Sequence, residues 1–375
     1  MERFRREIDV IDDKIADLFT KRLDLARQIG KEKQKQGKNI NDTNREEAIV
    51  AKLAKAFPED KDSLSRLYQS IFAISKELQR DLTGPCDYED YLLKSLTNTD
   101  FPSTTKAKVG VQGSEGSYGY LAAKEIFANP SINYYESFED IFASVNKGEC
   151  EFGVLPIENS IYGEVNEVYD LLAKNNSYIV ADFKLEINHY LLGKESSKIS
   201  DIKEVISHYQ ALGQCRDYLS KLPNIKTTSS QNTALAAKYL AHSERDDLAT
   251  ISSKECADLY RLKILDENIQ NNEINYTRFI VIKKDMEVYK DARIISIILE
   301  VANKPGALFD LIGKFAALGL NLIRIESRPI AGSKFDFRFY LNFEGTIKDQ
   351  KTRKLLSELN NSNEYFAFLG NYVEV

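Results

Sequence analysis

The chain opens with apolar residues at Phe4, Ile8, Ile11, Ile15, Leu18, Leu25 and Ile29, set among polar ones. Steps of four and three mark one face of an α-helix. The pattern predicts a helix over residues 4–36, ended at Gly37. At 1.5 Å per residue it is roughly 45–50 Å long. That exceeds what a small monomeric three-helix domain needs, so a second copy of the chain is expected against it. A second helix opens in NDTNREEAIVAKLAKAF, with Asn41, Asp42 or Thr43 as its cap. A third, KDSLSRLYQSIFAISKELQRDL, runs to the TGP at 83–85. One position breaks the first helix's beat. The rhythm calls for an apolar residue at 22, and the chain has Arg22, with Lys33 on the same face.

Residues 95–106, SLTNTDFPSTTK, are polar and carry Pro102, which predicts a linker. From 106 to 284 the pattern alternates between strands (AKVGVQG, FGVLPIE, IKEVISHY, NYTRFIVIKK) and helices (YLAAKEIF, FEDIFASVNKG, TALAAKYLAHS). This predicts an α/β domain with a largely buried sheet, long enough for two lobes with a cleft between them. From 291 to 375 the order changes again to strand, helix, strand, strand, helix, strand. Phe335, Phe337, Phe339, Leu341 and Phe343 alternate with polar residues in the third strand. The order βαββαβ is the ferredoxin-like plan. Three domains are therefore expected: all-helical at 1–90, α/β at 106–284 and ferredoxin-like at 291–375.

Composition narrows the function classes. The chain has 375 residues, 43% hydrophobic and 29% charged, an ordinary globular balance. A net charge of −6 argues against a general nucleic-acid partner. No apolar run reaches the roughly 20 residues that span a bilayer, which argues against a membrane partner. The start, MERFRREIDVIDDK, has no signal-peptide core. Cys86, Cys150, Cys215 and Cys256 lack CxxC spacing, so a reduced cytoplasmic protein is expected. His189, His208 and His242 are far apart in sequence and outline no metal cluster.

Arg22 admits two readings: a surface arginine whose stem packs while its head reaches water, or part of an anion site inside a helical bundle. Arg22 and Lys33 are eleven residues apart, almost three turns, or roughly 16 Å along one face. The second helix adds Asp42, Arg45 and Glu46; the third adds Ser75 and Gln79, four apart. With Arg5, these eight residues fall in the order and spacing of the all-helical chorismate mutases, which residues 1–85 resemble. The resemblance implies that Arg22 and Arg45 hold substrate carboxylates. It assigns Lys33 and Gln79 to the breaking ether oxygen, and Glu46 and Asp42 to the ring hydroxyl or a bridging water. Such a pericyclic rearrangement needs a held conformer and fixed charges, with no nucleophile. Arg5 precedes Arg22 by seventeen residues, roughly 25 Å along the helix. No small ligand spans that distance, so Arg5 is expected in the partner chain's site.

In the middle domain, GSEGSYGYLAA, LPIENSIYGEV, SHYQALGQC, QNTALAA and NYTRFIVI are each bland alone. Together and in this order they resemble prephenate dehydratase over about 180 residues. That fold is similar to two-lobed periplasmic binding proteins. The resemblance implies that Thr277 is aimed at the leaving hydroxyl of prephenate. Arg278 pairs a substrate carboxylate or holds its strand. Glu158, Asn159, Ser160, Gln214, Asn232 and Thr233 are expected to line the cleft. His208 is a candidate acid by side-chain type and equally a structural histidine. The chain departs from the family pattern at Tyr209, where proline is usual, and at Gly119, where serine is.

NKPGALFDL and IESRPI in the last domain resemble the phenylalanine-sensing ACT domain of these enzymes. There Asn303 can cap a helix, Pro305 suits its first turn, and Gly306 and Ala307 admit an amino-acid carboxylate at its N-terminus. Leu308 and Phe309 offer apolar contact or are core, and Glu326, Ser327 and Arg328 sit at a neighbouring edge. The whole chain thus resembles a fused chorismate mutase and prephenate dehydratase with a phenylalanine-responsive tail. Its expected ligands are chorismate, prephenate and L-phenylalanine, with no metal or organic cofactor, in a homodimer or tetramer joined through the long first helix. The rival is a non-catalytic sensor of small anions, disfavoured by the residue match in the helical domain.

Overall fold

A computed structural model describes residues 1–36, 42–80, 87–104, 106–272, 274–330 and 337–375. The expected stop at Gly37, the cap option Asn41, the break at 83–85, Cys86 and Phe335 lie outside the described residues, as does the side chain of Thr43. The chain divides into two compact units, Met1–Tyr91 and Leu92–Val375.

The first unit is helical: α1 Glu2–Lys35, α2 Thr43–Ala56 and α3 Lys61–Arg80. A fourth helix, α4 Asp87–Lys94, carries the chain across the division. Asp42 caps α2 by accepting from the Arg45 amide at 3.2 Å. Helix α3 packs against both α1 and α2. The face of α1 turned to α3 holds Ala26 and Gly30, both buried, with Phe19, Arg22, Leu23 and Lys33 partly so. The apolar stripe that predicted the helix lies elsewhere. Phe4, Ile8, Ile11, Ile15, Leu18, Leu25 and Ile29 are all exposed in the single chain, from 45% at Ile29 to 65% at Phe4 and Leu18.

The second unit begins with the segment expected to be a linker, and that segment is packed. Thr97 donates to the Val288 carbonyl at 2.9 Å, and Val288 donates to the Ser95 carbonyl at 2.9 Å. Phe101 meets Tyr289 edge-on at 5.4 Å and Phe127 at 5.6 Å. A few apolar anchors suffice to seat a polar segment, and averaged polarity hides them.

Beyond it lie two lobes. The first contains β1 Lys108–Gln112, α5 Tyr118–Ile126, β2 Ser131–Tyr135, α6 Phe138–Lys147, β3 Phe152–Asn159, β4 Gly163–Glu164, α7 Asn166–Lys174 and β5 Tyr178–Glu186. The second contains β6 Tyr190–Gly193, β7 Glu204–His208, α8 Tyr209–Gln214, α9 Arg216–Leu219, β8 Lys226–Ser230, α10 Thr233–His242, β9 Leu248–Ser252, α11 Lys254–Tyr260 and β10 Lys263–Asp266. Strand β11 Tyr276–Lys283 returns to the first lobe, between β5 and β3. The second lobe has its own sheet, ordered β10-β6-β9-β7-β8. The chain crosses between lobes near 187–189 and again near 269–275, where the Ile187 amide donates to the Asn275 carbonyl at 2.7 Å.

The last domain contains β12 Ile294–Val301, α12 Ala307–Ala317, β13 Leu322–Pro329, β14 Phe337–Glu344, α13 Gln350–Ser362 and β15 Phe366–Glu374. Its order β13-β14-β12-β15 is the ferredoxin-like arrangement, as the sequence predicts. Strand β15 also pairs with β5 at Val373 and Glu374, so this sheet continues into that of the first lobe. Helix α12 starts at Ala307, with Gly306 rather than Asn303 in the N-cap position. Gly306 has φ of 87°, a left-handed conformation that a side chain would strain.

Among the described residues, no helix is long and apolar enough to cross a membrane, and no three or more His, Cys, Asp or Glu are grouped to hold a metal.

Candidate active sites

In the helical unit, Arg22 reaches from α1 to α3. Its Nη1 donates to Ser75 Oγ, whose own proton goes to the Ile71 carbonyl at 2.7 Å. The guanidinium carbon lies 5.6 Å from the centre of the Phe72 ring. Burial lowers the Arg22 pKa; the fields of Tyr68 and Glu46 oppose that, and Arg45 adds to it. An arginine nevertheless stays protonated, so this is a fixed, partly desolvated cation. Gln79 is 8% exposed, and its Oε1 is buried with no hydrogen-bond partner among the described residues. Gly30 permits that placement, since a Cβ there would stand 2.9 Å from Gln79 Cγ. Glu46 pairs with Lys76 at 3.2 Å. Lys76 escaped the sequence reading, although it adjoins Ser75 and precedes Gln79 by three. The unit thus brings Arg22 to Ser75 and sets Gln79 beside Gly30, three residues before Lys33, with Arg45 and Glu46 near enough to act on Arg22. Arg5 is exposed far along α1, and Asp42 serves its cap.

In the two-lobed domain the strands position the chemistry. Asn159 ends β3 opposite Thr277 on β11. Its Oδ1 accepts from the amides of Ile161 and Tyr162, both at 3.0 Å, which fixes the carboxamide. Its Nδ2 then donates to Thr277 Oγ1 at 3.0 Å and to Asn275 Oδ1 at 3.0 Å. Thr277 receives a hydrogen bond from Asn159, which leaves its own proton to offer. Behind Asn159 runs a buried chain of which the sequence reading had only Gln214, expected there to line the cleft. Asn275 Nδ2 donates to Gln214 Oε1 at 3.1 Å, and His189 Nε2 donates to the same oxygen. His189 Nδ1 in turn meets Tyr118 Oη at 3.1 Å. Burial lowers the His189 pKa against the opposing effect of Gln214, so the ring is neutral at pH 7 with its proton on Nε2. Asn275 is wholly buried and His189 nearly so. The one signal for Asn275 is its spacing, two residues before Thr277, which puts both on one side of an extended chain.

Ser160 Oγ accepts from the Tyr276 amide at 2.9 Å. Asn232 caps α10 by accepting from Leu235 at 2.7 Å, and Thr233 is buried in its first turn. Gly113 stands beside Asn232: a Cβ built there lies 3.5 Å from Asn232 Nδ2. Helices α5, α8 and α10 each follow the end of a strand, and such helix starts favour carboxylates. His208 is half-buried against Tyr209, its pKa lowered by burial. It is neutral at pH 7 and stands outside the chain that ends at Thr277.

Glu158 and Arg278 are placed differently from the rest. They face each other across β3 and β11, one residue from Asn159 and Thr277. Consecutive strand residues point to opposite faces, so this pair lies behind the sheet. Arg278 pairs with Glu158 at 3.3 Å and Asp182 at 3.7 Å, and Arg324 from β13 pairs with Glu158 and Glu164. Asp182 is 1% exposed. Burial raises its pKa from 3.8 to about 6, with Arg278 opposing. The folded chain therefore holds this proton more tightly than the unfolded one. Stability from this group is greatest at low pH and declines as pH rises from near 4 past 6, by about 3 kcal/mol. Asp182→Asn should unfold near the wild-type temperature at pH 4 and above it at pH 7. Thermal midpoints that differ by the same amount at both pH values would contradict this.

In the last domain, Leu308 and Phe309 are exposed, at 37% and 67%, rather than core. Gly306 and Asn303 are exposed beside them. On β13, Ser327 shares an exposed face with Ile323 and Ile325, whereas Glu326 and Arg328 lie on the other, where Arg328 meets Asp170 at 3.2 Å.

Comparison with known proteins follows the same division. Family models match for chorismate mutase type II at residues 4–80, prephenate dehydratase at 109–287 and the ACT domain at 295–361. A bifunctional chorismate mutase/prephenate dehydratase of Aquifex aeolicus is 30% identical over 376 residues, covering 99% of this chain and 97% of the relative. One from Escherichia coli K12 is 30% identical over 98% of this chain and 95% of its own. Among solved structures, a prephenate dehydratase in complex with L-Phe from Arthrobacter aurescens is 27% identical, with a TM-score of 0.65 over 71% of this chain and 89% of that one. A quorum quenching acylase, GqqA, is 27% identical, with a TM-score of 0.64 over 71% of this chain and 98% of that one. With both halves and the tail matched in order and a full-length relative at this identity, the chain belongs to the bifunctional chorismate mutase/prephenate dehydratase family.

Proposed function

We propose that the two activities act in sequence, turning chorismate into prephenate in the helical unit and prephenate into phenylpyruvate in the cleft, and that L-phenylalanine restrains the second step. The observation that most supports the residue assignment is the Thr277 hydroxyl, held by Asn159 as an acceptor with its proton free. When the ring carboxylate leaves as carbon dioxide, its bonding electrons enter the ring and the C4–oxygen bond breaks. A hydrogen-bond donor at that oxygen eases its departure, and the oxygen leaves as water by taking one proton from solvent. A threonine hydroxyl is a weak acid, so its part is to orient the leaving group while aromatisation drives the step. Asn232, Thr233 and the helix starts near them receive the carboxylates.

In the first reaction, Arg22 and Arg45 hold the carboxylates of chorismate, and Lys33 and Gln79 meet the ether oxygen as it gains charge. Glu46 takes the ring hydroxyl. The exposed apolar stripe of α1 supports a dimer through that helix, with Arg5 serving the partner's site. Gly306, Ala307, Leu308 and Phe309, with the end of β13, form the effector site; the similar prephenate dehydratase from Arthrobacter aurescens was solved in complex with L-Phe. The three described cysteines, Cys150, Cys215 and Cys256, are buried and free, as a reducing cytoplasm allows.

Supplying chorismate and following prephenate and phenylpyruvate, with and without phenylalanine, tests the reading. Prephenate should rise and fall as phenylpyruvate accumulates, and phenylalanine should slow only the second phase and raise the thermal midpoint. Phenylpyruvate made from prephenate but not from chorismate would sink the sequential claim. An effector that changes neither rate nor thermal midpoint would sink the regulatory one.

A further inference from the structure

The catalytic strands carry their chemistry on one face and a set of charges on the other. Behind Asn159 and Thr277 lies a cavity of about 1190 Å³, walled by Glu158, Asp182 and Arg278 from the catalytic sheet and by Arg324 from the C-terminal domain. Glu158 and Glu164 stand directly opposite each other on the β3–β4 hairpin. Two like charges in that register repel and destabilise the pairing. Arg324 meets both carboxylates with one guanidinium. Its side chain is 16% exposed, so the neutralisation takes place largely out of water.

The loop that this hairpin encloses supplies the Ile161 and Tyr162 amides that fix Asn159. Asn159 fixes Thr277 in turn. We propose that Arg324, contributed by the C-terminal domain, is a positioning residue of the dehydratase reaction. By cancelling the Glu158–Glu164 repulsion it holds the hairpin shut, and through Asn159 it sets the direction of the Thr277 hydroxyl. Residues Glu158 and Arg278 then belong to the catalytic motifs because they anchor this bridge. Arg324 also lies two residues from Glu326, so a ligand that moves β13 reaches Thr277 through Arg324, the hairpin and Asn159; this part rests on the phenylalanine reading above.

The test uses the full chain with Arg324→Ala, Arg324→Lys and the double variant Arg324→Ala/Glu164→Gln. Arg324→Ala should lower kcat for prephenate roughly 10- to 100-fold, with KM and the mutase rate near wild type. Arg324→Lys should recover part of the loss. Glu164→Gln in the alanine background should also recover part, because it removes one of the opposed charges. An unchanged kcat in Arg324→Ala overturns the proposal, as does a loss of kcat that neither second change relieves. Phenylalanine is then added to each. Weaker inhibition of Arg324→Ala than of wild type supports the coupling, and equal inhibition removes it. If wild type is not inhibited at all, the phenylalanine reading fails and the positioning role stands or falls on kcat alone.

Discussion

Arg22→Ala should reduce chorismate mutase turnover on the order of 10³-fold and leave prephenate dehydration at the wild-type rate. The size of the effect follows from the cation's setting. Arg22 is partly desolvated, seated on Phe72 and steered by Ser75, so its charge is concentrated on whatever anion meets it. Removing it takes away the anchor that holds a carboxylate of chorismate in the compact, reactive conformer. Stability should move the other way or hardly at all, because the lowered pKa records a cation that the fold solvates poorly. Arg22→Met keeps the stem over Phe72 and separates charge from packing. Arg22→Lys should fail as well, since a lysine cannot keep the bond to Ser75 and also present a two-pronged face to a carboxylate. The measurement is chorismate loss and phenylpyruvate formation from supplied prephenate, with thermal unfolding alongside. A parallel fall of both activities would show misfolding instead, and an active Arg22→Ala would remove Arg22 from the site.

Thr277→Val should do the reverse, lowering kcat for prephenate on the order of 10²-fold with the mutase untouched. Valine keeps the branched shape on β11 and deletes only the hydroxyl. The change orphans one of the Asn159 donors, but that amide also faces Asn275 Oδ1 and the Tyr276 carbonyl at 3.2 Å, so the cost to stability should be about 1 kcal/mol or less. Thr277→Ser should retain most of the rate, because the donor remains. Little change in KM is expected, since the carboxylates are held elsewhere. A valine variant with full kcat would show that the leaving hydroxyl departs without this donor.

Much of this protein was legible in its sequence because two kinds of information are local. Period decides element type, so α1, the alternating α/β region and the βαββαβ tail could be read from spacing. Chemistry decides residue type: a reaction that separates charge needs fixed cations and hydrogen-bond donors, and the resemblance to chorismate mutases picks out Arg22, Lys33, Arg45 and Gln79 for those parts. Tertiary structure decided which of these residues meet. Strands β3 and β11 are buried on both faces, so their sequences carry no alternation to say which face sees the cleft. Only the paired register places Asn159 with Thr277 on one side and Glu158 with Arg278 on the other. Asn275, Gln214 and His189 come from both lobes and the crossings between them, and nothing in sequence ties residues so far apart. The packed segment at 95–103 and the exposed stripe of α1 have the same origin. Periodicity records that a face is apolar, whereas what covers that face is settled by contacts between distant parts of a chain, or by a second chain.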